Sequence, residues 1–298
     1  MEDILRPIYQ ERASNRNTLG ILIMEKKKMI SPETDNFDSI LLVIVQSSEE
    51  KWYVKHYQFG EQSAALHVID RDLLNEWIET SSYRRAVEWI INGRIIYDRN
   101  EYIAQLKETL RVFPQSKRQL RLAIEFSKLT RSYSESRNLY ASGDYLDAYS
   151  KLLRTLHYLG RIAIIEKGYH PEVMVWAQVK RIDPEVYKLY EELVRSIEET
   201  KKRVELMFLA IDVALNKRVN KCASHLIEVM QEQEQPWGGF GELKTHPSIT
   251  PYKYDLVSTI EYLVSKDIIQ VTLEETKSKT ILHRKYQVNK EVMKQELE

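Results

Sequence analysis

The rhythm of apolar and polar positions divides this chain of 298 residues into three stretches. In residues 1–114 the dominant signal is the strand. Leu19–Met24 and Ile40–Val45 are short apolar runs rich in Ile, Leu and Val, as strands buried on both faces are. Trp52–Phe59 reads as a partly exposed strand and Ala64–Ile69 as a fourth. Asp70 is placed to cap a helix that carries Leu73, Leu74, Trp77 and Ile78 on one face. Ser81 or Ser82 caps the next, with Ala86, Val87, Ile90 and Ile91 inward. Gly93 falls just past its end, where left-handed backbone is common. Arg94–Tyr97 makes a last short strand, and a helix over 100–113 ends at Pro114.

Residues 115–235 carry no strand pattern. Leu152, Leu156, Leu159 and Ala163 share a face of a helix that starts after Ser142–Gly143 and ends near Gly168. Asp183–Pro184 is a strong helix start, with Asp as cap and Pro in the first turn; Tyr187, Tyr190, Val194 and Ile197 follow at helical spacing. The stretch reads as a helical bundle. Pro236–Gly241 holds three of the nine glycines and reads as a linker. Beyond it, a helix over 254–266 precedes strands at Ile268–Leu273 and Ile281–Val288, joined as a hairpin through 274–279. A helix followed by a two-stranded hairpin suggests a winged helix. The expected fold class is thus α+β, a mixed sheet with helices over 1–114, an all-α bundle over 115–235 and a small winged-helix-like unit over 236–298.

Composition narrows the function. Lys plus Arg equals Asp plus Glu at 44 each, which argues against whole-protein attraction to nucleic acid or anionic membrane. The single cysteine, Cys222, cannot form an intramolecular disulfide, and no Cys/His cluster has zinc spacing. The charged N-terminus does not read as a signal peptide. The longest purely apolar runs, Ile40–Val45 and Leu206–Ile211, fall far short of the roughly 20 residues a membrane helix needs. A cytoplasmic protein without a membrane partner is expected, with a homodimer as the default assembly.

The chemistry concentrates in the acidic loop that runs into Ile40–Val45. Enzymes that transfer nucleotidyl groups clamp the attacking and leaving oxygens between two metal ions, and magnesium prefers carboxylate oxygens. Two acids at i and i+2 on a strand point to one side and can share such ions. Asp38 stands at the head of the strand, Asn36 is at i−2, and Asp35 is one residue out of phase. Asp35 and Asp38 are therefore the candidate catalytic and Mg2+-binding residues. Glu25, Lys26 and Lys28 are the candidate nucleotide contacts, because positive charge beside the loop would favour a triphosphate.

This layout resembles the polymerase-beta-like nucleotidyltransferase superfamily. There Gly-Ser precedes an Asp-x-Asp at the head of a strand, and a third acid lies on a later one. Leu22–Lys28 stands in place of the Gly-Ser, and the third acid has no clear counterpart beyond Asp70, which is equally a helix cap. The three-part order resembles bacterial nucleotidyltransferase-like proteins of the YgxA type, through its architecture and segments such as Leu156–Ile162 and Pro171–Trp176. The resemblance covers essentially the whole chain. It implies a degenerate transferase domain, a helical substrate-binding-like domain and a C-terminal helix-turn-helix.

Other constellations are weaker. Lys151, Arg154 and Arg161, with His157 beside them, lie near one face of the middle-domain helix and suit an anionic substrate. Residues 240–298 balance nine basic against nine acidic residues, poor for DNA binding. The hairpin is nonetheless locally basic through Lys277, Lys279, Arg284 and Lys285, the candidate nucleic-acid contacts. The 254–266 helix, offering Ser258, Thr259, Glu261 and Tyr262 outward, brings no arginine for guanine. Walker A, Rossmann and nucleophile-elbow motifs are absent. The expected function is a nucleotidyltransferase-fold protein with weak or lost catalysis, in a nucleotide-binding or scaffold role. The alternatives are an active Mg2+-dependent transferase of a nucleoside monophosphate and a nucleic-acid-binding regulator.

Overall fold

The computed structural model describes residues 2–289 apart from 28–30, 81, 234, 235, 238, 278 and 279. They group into two compact units, Met1–Lys117 with Gly168–Gln178, and Arg118–Lys167 with Val179–Glu298.

The first unit is built on five strands, β1 (Thr18–Glu25), β2 (Ser39–Val45), β3 (Trp52–Phe59), β4 (Gln62–Asp70) and β5 (Arg94–Asp98). Their order is β3-β4-β2-β1-β5, a mixed sheet in which β2 and β4 run parallel and every other pair antiparallel. Alternate residues face opposite sides, so the central strands must be apolar throughout. Ile21, Ile23, Leu41, Val43 and Leu66 pack on one side with Leu5, Ile8 and Tyr9 of α1 (Glu2–Ser14). Leu22, Met24, Ile40, Leu42 and Ala65 pack on the other. There they meet α2 (Arg71–Thr80), α3 (Arg84–Asn92) and α4 (Tyr102–Val112).

Three local features differ from the sequence reading. Helix α1 was not expected, because Pro7 and a run of charged residues hide the apolar spacing of Leu5, Ile8, Tyr9 and Ala13. Helix α3 starts at Arg84 behind Tyr83, with no side-chain cap, and Ser82 instead receives a hydrogen bond from Thr80; Ser81 lies outside the described residues. Gly93 is extended rather than left-handed. It is a glycine for another reason: a Cβ there would meet the Trp89 carbonyl oxygen at 2.4 Å. Asp70 caps α2 as expected, accepting from the N–H groups of Asp72 at 2.9 Å and Leu73 at 3.4 Å.

The second unit contains α6 (Tyr145–Glu166), α8 (Pro184–Arg195), α9 (Thr200–Asn216), α10 (Val219–Gln231), α11 (Phe240–Thr245) and α12 (Leu256–Ser265), with the hairpin β6 (Ile269–Glu275) and β7 (Leu282–Val288). Most of the long helix α5 (Gln115–Ser142) also belongs to it, and α7 (Val175–Ile182) spans the boundary. Leu152, Leu156, Leu159 and Ala163 are buried as their spacing predicts. Asp183 accepts from the Val186 N–H and caps α8. On α8 it is Val186 and Leu193 that are buried, whereas Val194 is exposed, and Ile197 lies beyond the helix end and is exposed too. Arg218 joins α6 to α8 by bonding Glu166 at 3.0 Å and Asp183 at 2.9 Å. The Pro236–Gly241 stretch is anchored through Trp237, which is buried, donates from Nε1 to the Met230 carbonyl at 3.0 Å and pairs its backbone with Tyr286 of β7.

Candidate functional site

The loop ahead of β2 forms a 3-10 turn at Pro32–Thr34, followed by two left-handed residues, Asp35 and Asn36. Both candidate acids therefore precede the strand, and the two-residue alternation of a strand does not govern where they point. The turn is held from α3: Arg85 Nε donates to the Pro32 carbonyl at 3.2 Å and Trp89 Nε1 to that of Glu33 at 2.6 Å. Asn36 accepts the Ser31 N–H with its side-chain oxygen.

Each acid has its own partners. Asp35 forms an ion pair with Arg85 at 2.8 Å. Asp38 Oδ2 accepts from the Ser63 N–H at 2.8 Å and from its hydroxyl at 3.3 Å, and Oδ1 lies 3.8 Å from Lys26 Nζ. The group that meets Asp38 from β4 is thus a serine donor rather than a carboxylate. Asp70, at the far end of β4, is fully buried. Burial opposes its ionisation, but Lys51 at 3.0 Å and the N–H groups of Asp72, Ser48 and Leu73 outweigh it and hold the carboxyl below its ordinary pKa. Asp70 is a structural cap.

Magnesium needs several oxygen ligands converging in near-octahedral geometry. Here one candidate carboxylate faces a guanidinium and the other an ammonium and two donors. Among the described residues no group of three or more His, Cys, Asp or Glu is placed to hold a metal. The residues as arranged do not fit the ion. Of the candidate nucleotide contacts, Glu25 is exposed at the end of β1, and Lys26 bonds the Asn36 carbonyl at 3.3 Å as well as facing Asp38. Lys28 lies outside the described residues.

Beside this loop is a feature that sequence reading missed. His67, on β4, is buried in a cluster with Trp52, Trp77, Tyr83 and Trp89. Trp52 Nε1 donates to its Nδ1 at 3.3 Å. Burial, then the nearby His56 and Arg85, push its pKa down to about 4, so the ring is neutral at physiological pH. Its signal in sequence was one polar residue inside an apolar strand, which also describes an ordinary core histidine.

The other candidates are mostly paired within their own unit. Lys151 bonds Glu135 and Arg161 bonds Glu125 at 3.0 Å, while Arg154 is exposed. In the terminal unit Arg284 pairs with Glu261 and Lys285 with Glu274, each at 2.9 Å, and Lys277 is exposed; Lys279 lies outside the described residues. Thr259 does not point outward as expected. It is buried, with its hydroxyl 3.2 Å from that of Thr130 on α5. Arg131 of α5 bonds Asp255, just ahead of α12, at 2.6 Å, and Phe126 meets the Tyr262 ring edge-on at 5.7 Å. One flank of α12 is therefore docked on α5.

Known proteins share this arrangement from end to end. Residues 1–118 match the family described as nucleotidyltransferase-like, 119–218 the YgxA-like substrate binding domain and 224–288 a helix-turn-helix domain. Over 292 residues the chain is 44% identical to "Uncharacterized protein YgxA" of Bacillus subtilis (strain 168), covering 98% of this chain and 99% of that one. The chain belongs to the YgxA family. The chain is also similar to a crystal structure, that of the nucleotidyltransferase-like protein from Exiguobacterium sibiricum 255-15. It matches with a TM-score of 0.77 at 38% identity, covering 97% of this chain and 99% of that one. Among the described residues no helix is long and apolar enough to cross a membrane.

Proposed function

We propose that this YgxA-family protein keeps the nucleotidyltransferase fold without metal-dependent transfer, and works as a nucleotide-binding or scaffold protein. The observation that carries this reading is the separate engagement of Asp35 by Arg85 and of Asp38 by Ser63 and Lys26. A catalytic pair would have to release both sets of contacts before either carboxylate met a metal, and among the described residues no third acid groups with them to complete the site. Lys26 and the exposed Lys27 leave positive charge at the loop, which suits phosphate without a metal. The test is calorimetric titration of a nucleoside triphosphate panel, with and without magnesium, on the wild type and on Asp35→Ala/Asp38→Ala. Affinity that ignores both magnesium and the double substitution supports the proposal. Magnesium-dependent binding that the double substitution abolishes would favour an active transferase.

A second reading is supported by the helix-turn-helix match over 224–288. In this reading the terminal unit contacts nucleic acid phosphates through the hairpin residues Lys277, Arg284 and Lys285. The pairing of Arg284 and Lys285 with acids, and the docked flank of α12, weigh against sequence-specific reading. Fluorescence anisotropy with a random-sequence duplex across salt concentrations tests it. Binding that weakens steeply with salt and is lost in Lys277→Ala/Lys285→Ala supports this reading, and no binding rejects it.

A further inference from the structure

Three cavities stand out among the described residues, and two of them are lined in part by side chains already engaged in ion pairs. The cavity of about 460 Å3 beside α12 contains the Arg137–Asp212 pair and Glu261, which bonds Arg284. The cavity of about 190 Å3 between α5 and α6 contains Arg131 with its partners Glu135 and Asp255. The third differs in kind. It measures about 260 Å3, lies wholly in the first unit, and is walled by Val87 and Ile91 of α3, Leu110 of α4 and Pro171. Into this largely apolar space, with Glu172 also in the lining, is set the partly buried carboxylate of Glu88. Among the described residues its hydrogen-bond donor is the Val173 N–H at 3.1 Å, and it has no ion-pair partner.

The surroundings deepen that imbalance. Burial, and then the charges of Glu172 and Glu33, raise the Glu88 pKa against the opposing effects of the Val173 N–H and Lys27. Arg111 stands at its edge, but its guanidinium is mostly exposed and lies 3.8 Å from Glu108. His170 is held as part of the wall: Nε2 donates to the Leu110 carbonyl at 3.1 Å, and the ring stacks on Phe113 at 4.0 Å.

We propose that this cavity binds a small organic cation with an apolar body, of the alkylammonium or arylalkylammonium class. The ammonium forms a charge-assisted hydrogen bond to Glu88, which a neutral group cannot match, and the apolar body fills the space between Val87, Ile91, Leu110 and Pro171. The volume lies below the roughly 300–1,000 Å3 usual for drug-sized ligands, which sets the size class. Asp35, Asp38 and Lys26 do not line it, although the charges of Glu33 and Lys27 on the neighbouring loop act on Glu88.

The experiment is calorimetric titration of the full chain with 2-phenylethylamine and with its neutral counterpart 2-phenylethanol. The amine should bind at one site and at least about tenfold more tightly than the alcohol. Glu88→Gln should weaken the amine by a similar factor and leave the alcohol unchanged. Ile91→Trp, which fills the cavity, should abolish both. Equal affinity for amine and alcohol, no binding of the amine, or amine binding indifferent to Glu88→Gln would overturn the proposal. Should Glu88→Gln fail to fold, the amine-to-alcohol comparison on the wild type decides alone.

Discussion

Arg85 and Asp35 form an ion pair at 2.8 Å that ties α3 to the acidic loop ahead of β2. The same arginine donates to the Pro32 carbonyl, and Trp89, one turn further along α3, donates to that of Glu33. The helix therefore fixes the loop in a shape that turns one candidate metal ligand toward a guanidinium.

Arg85→Ala removes the ion pair and one backbone contact. Both side chains are about a third or more exposed, so solvent screens the charge interaction, and the expected loss is about 1 kcal/mol. A urea midpoint lowered with an unchanged slope is the expected result. A loss of several kcal/mol would mean that the loop supports the sheet far more than these contacts allow.

His67 should make stability depend on pH in a defined window. Its pKa falls from 6.5 to about 4 in the fold, so between those values the unfolded chain binds the proton and the folded one does not. The contribution is complete above pH 6.5 and is lost as pH falls toward 4, at most about 3 kcal/mol. His67→Leu should flatten the stability profile in that interval. Equal slopes in wild type and variant would refute the assignment.

Asp70 acts on the more acidic side. Its folded pKa lies below the ordinary 3.8, so its contribution is present above that value and disappears as pH falls through the folded pKa. Asp70→Asn keeps an oxygen to cap α2 but loses the acceptor that Oδ2 offers to Lys51 and to the Ser48 N–H, which should cost about 2 kcal/mol at neutral pH. Chemical denaturation of the two proteins at pH 7 and at pH 3 checks both parts, since the difference should shrink at the lower pH.

The docking of α12 on α5 can be loosened without touching the hairpin. Arg131→Ala with Thr130→Val removes the bond to Asp255 and the hydroxyl contact to Thr259. Amide hydrogen exchange should quicken in Leu256–Ser265 while β6 and β7 keep their protection. Uniform acceleration across the terminal unit would show that these contacts hold the whole unit rather than one flank of a helix.

The strands were legible because burial on both faces leaves an apolar run that no exposed element tolerates, as in Ile40–Val45. The cap at Asp70 was legible because it acts within its own turn. What was not legible depends on distant partners. Thr259 looks like a surface hydroxyl until Thr130, far away in sequence, is brought against it. Glu88 looks like the polar face of an amphipathic helix until residues 168–173 close over it. Asp35 was judged by strand phase, which two left-handed residues make irrelevant. The departure from the transferase motif was visible in Asn36 and the absent Gly-Ser, but the cations that engage Asp35 and Asp38 were not.

The most direct test of the central claim is a manganese titration followed by electron paramagnetic resonance, on the wild type and on Asp35→Ala/Asp38→Ala, with and without a nucleoside triphosphate. The account predicts that neither protein changes the free-ion signal beyond what the nucleotide alone produces. A bound manganese ion present in the wild type and lost in the double variant would contradict it.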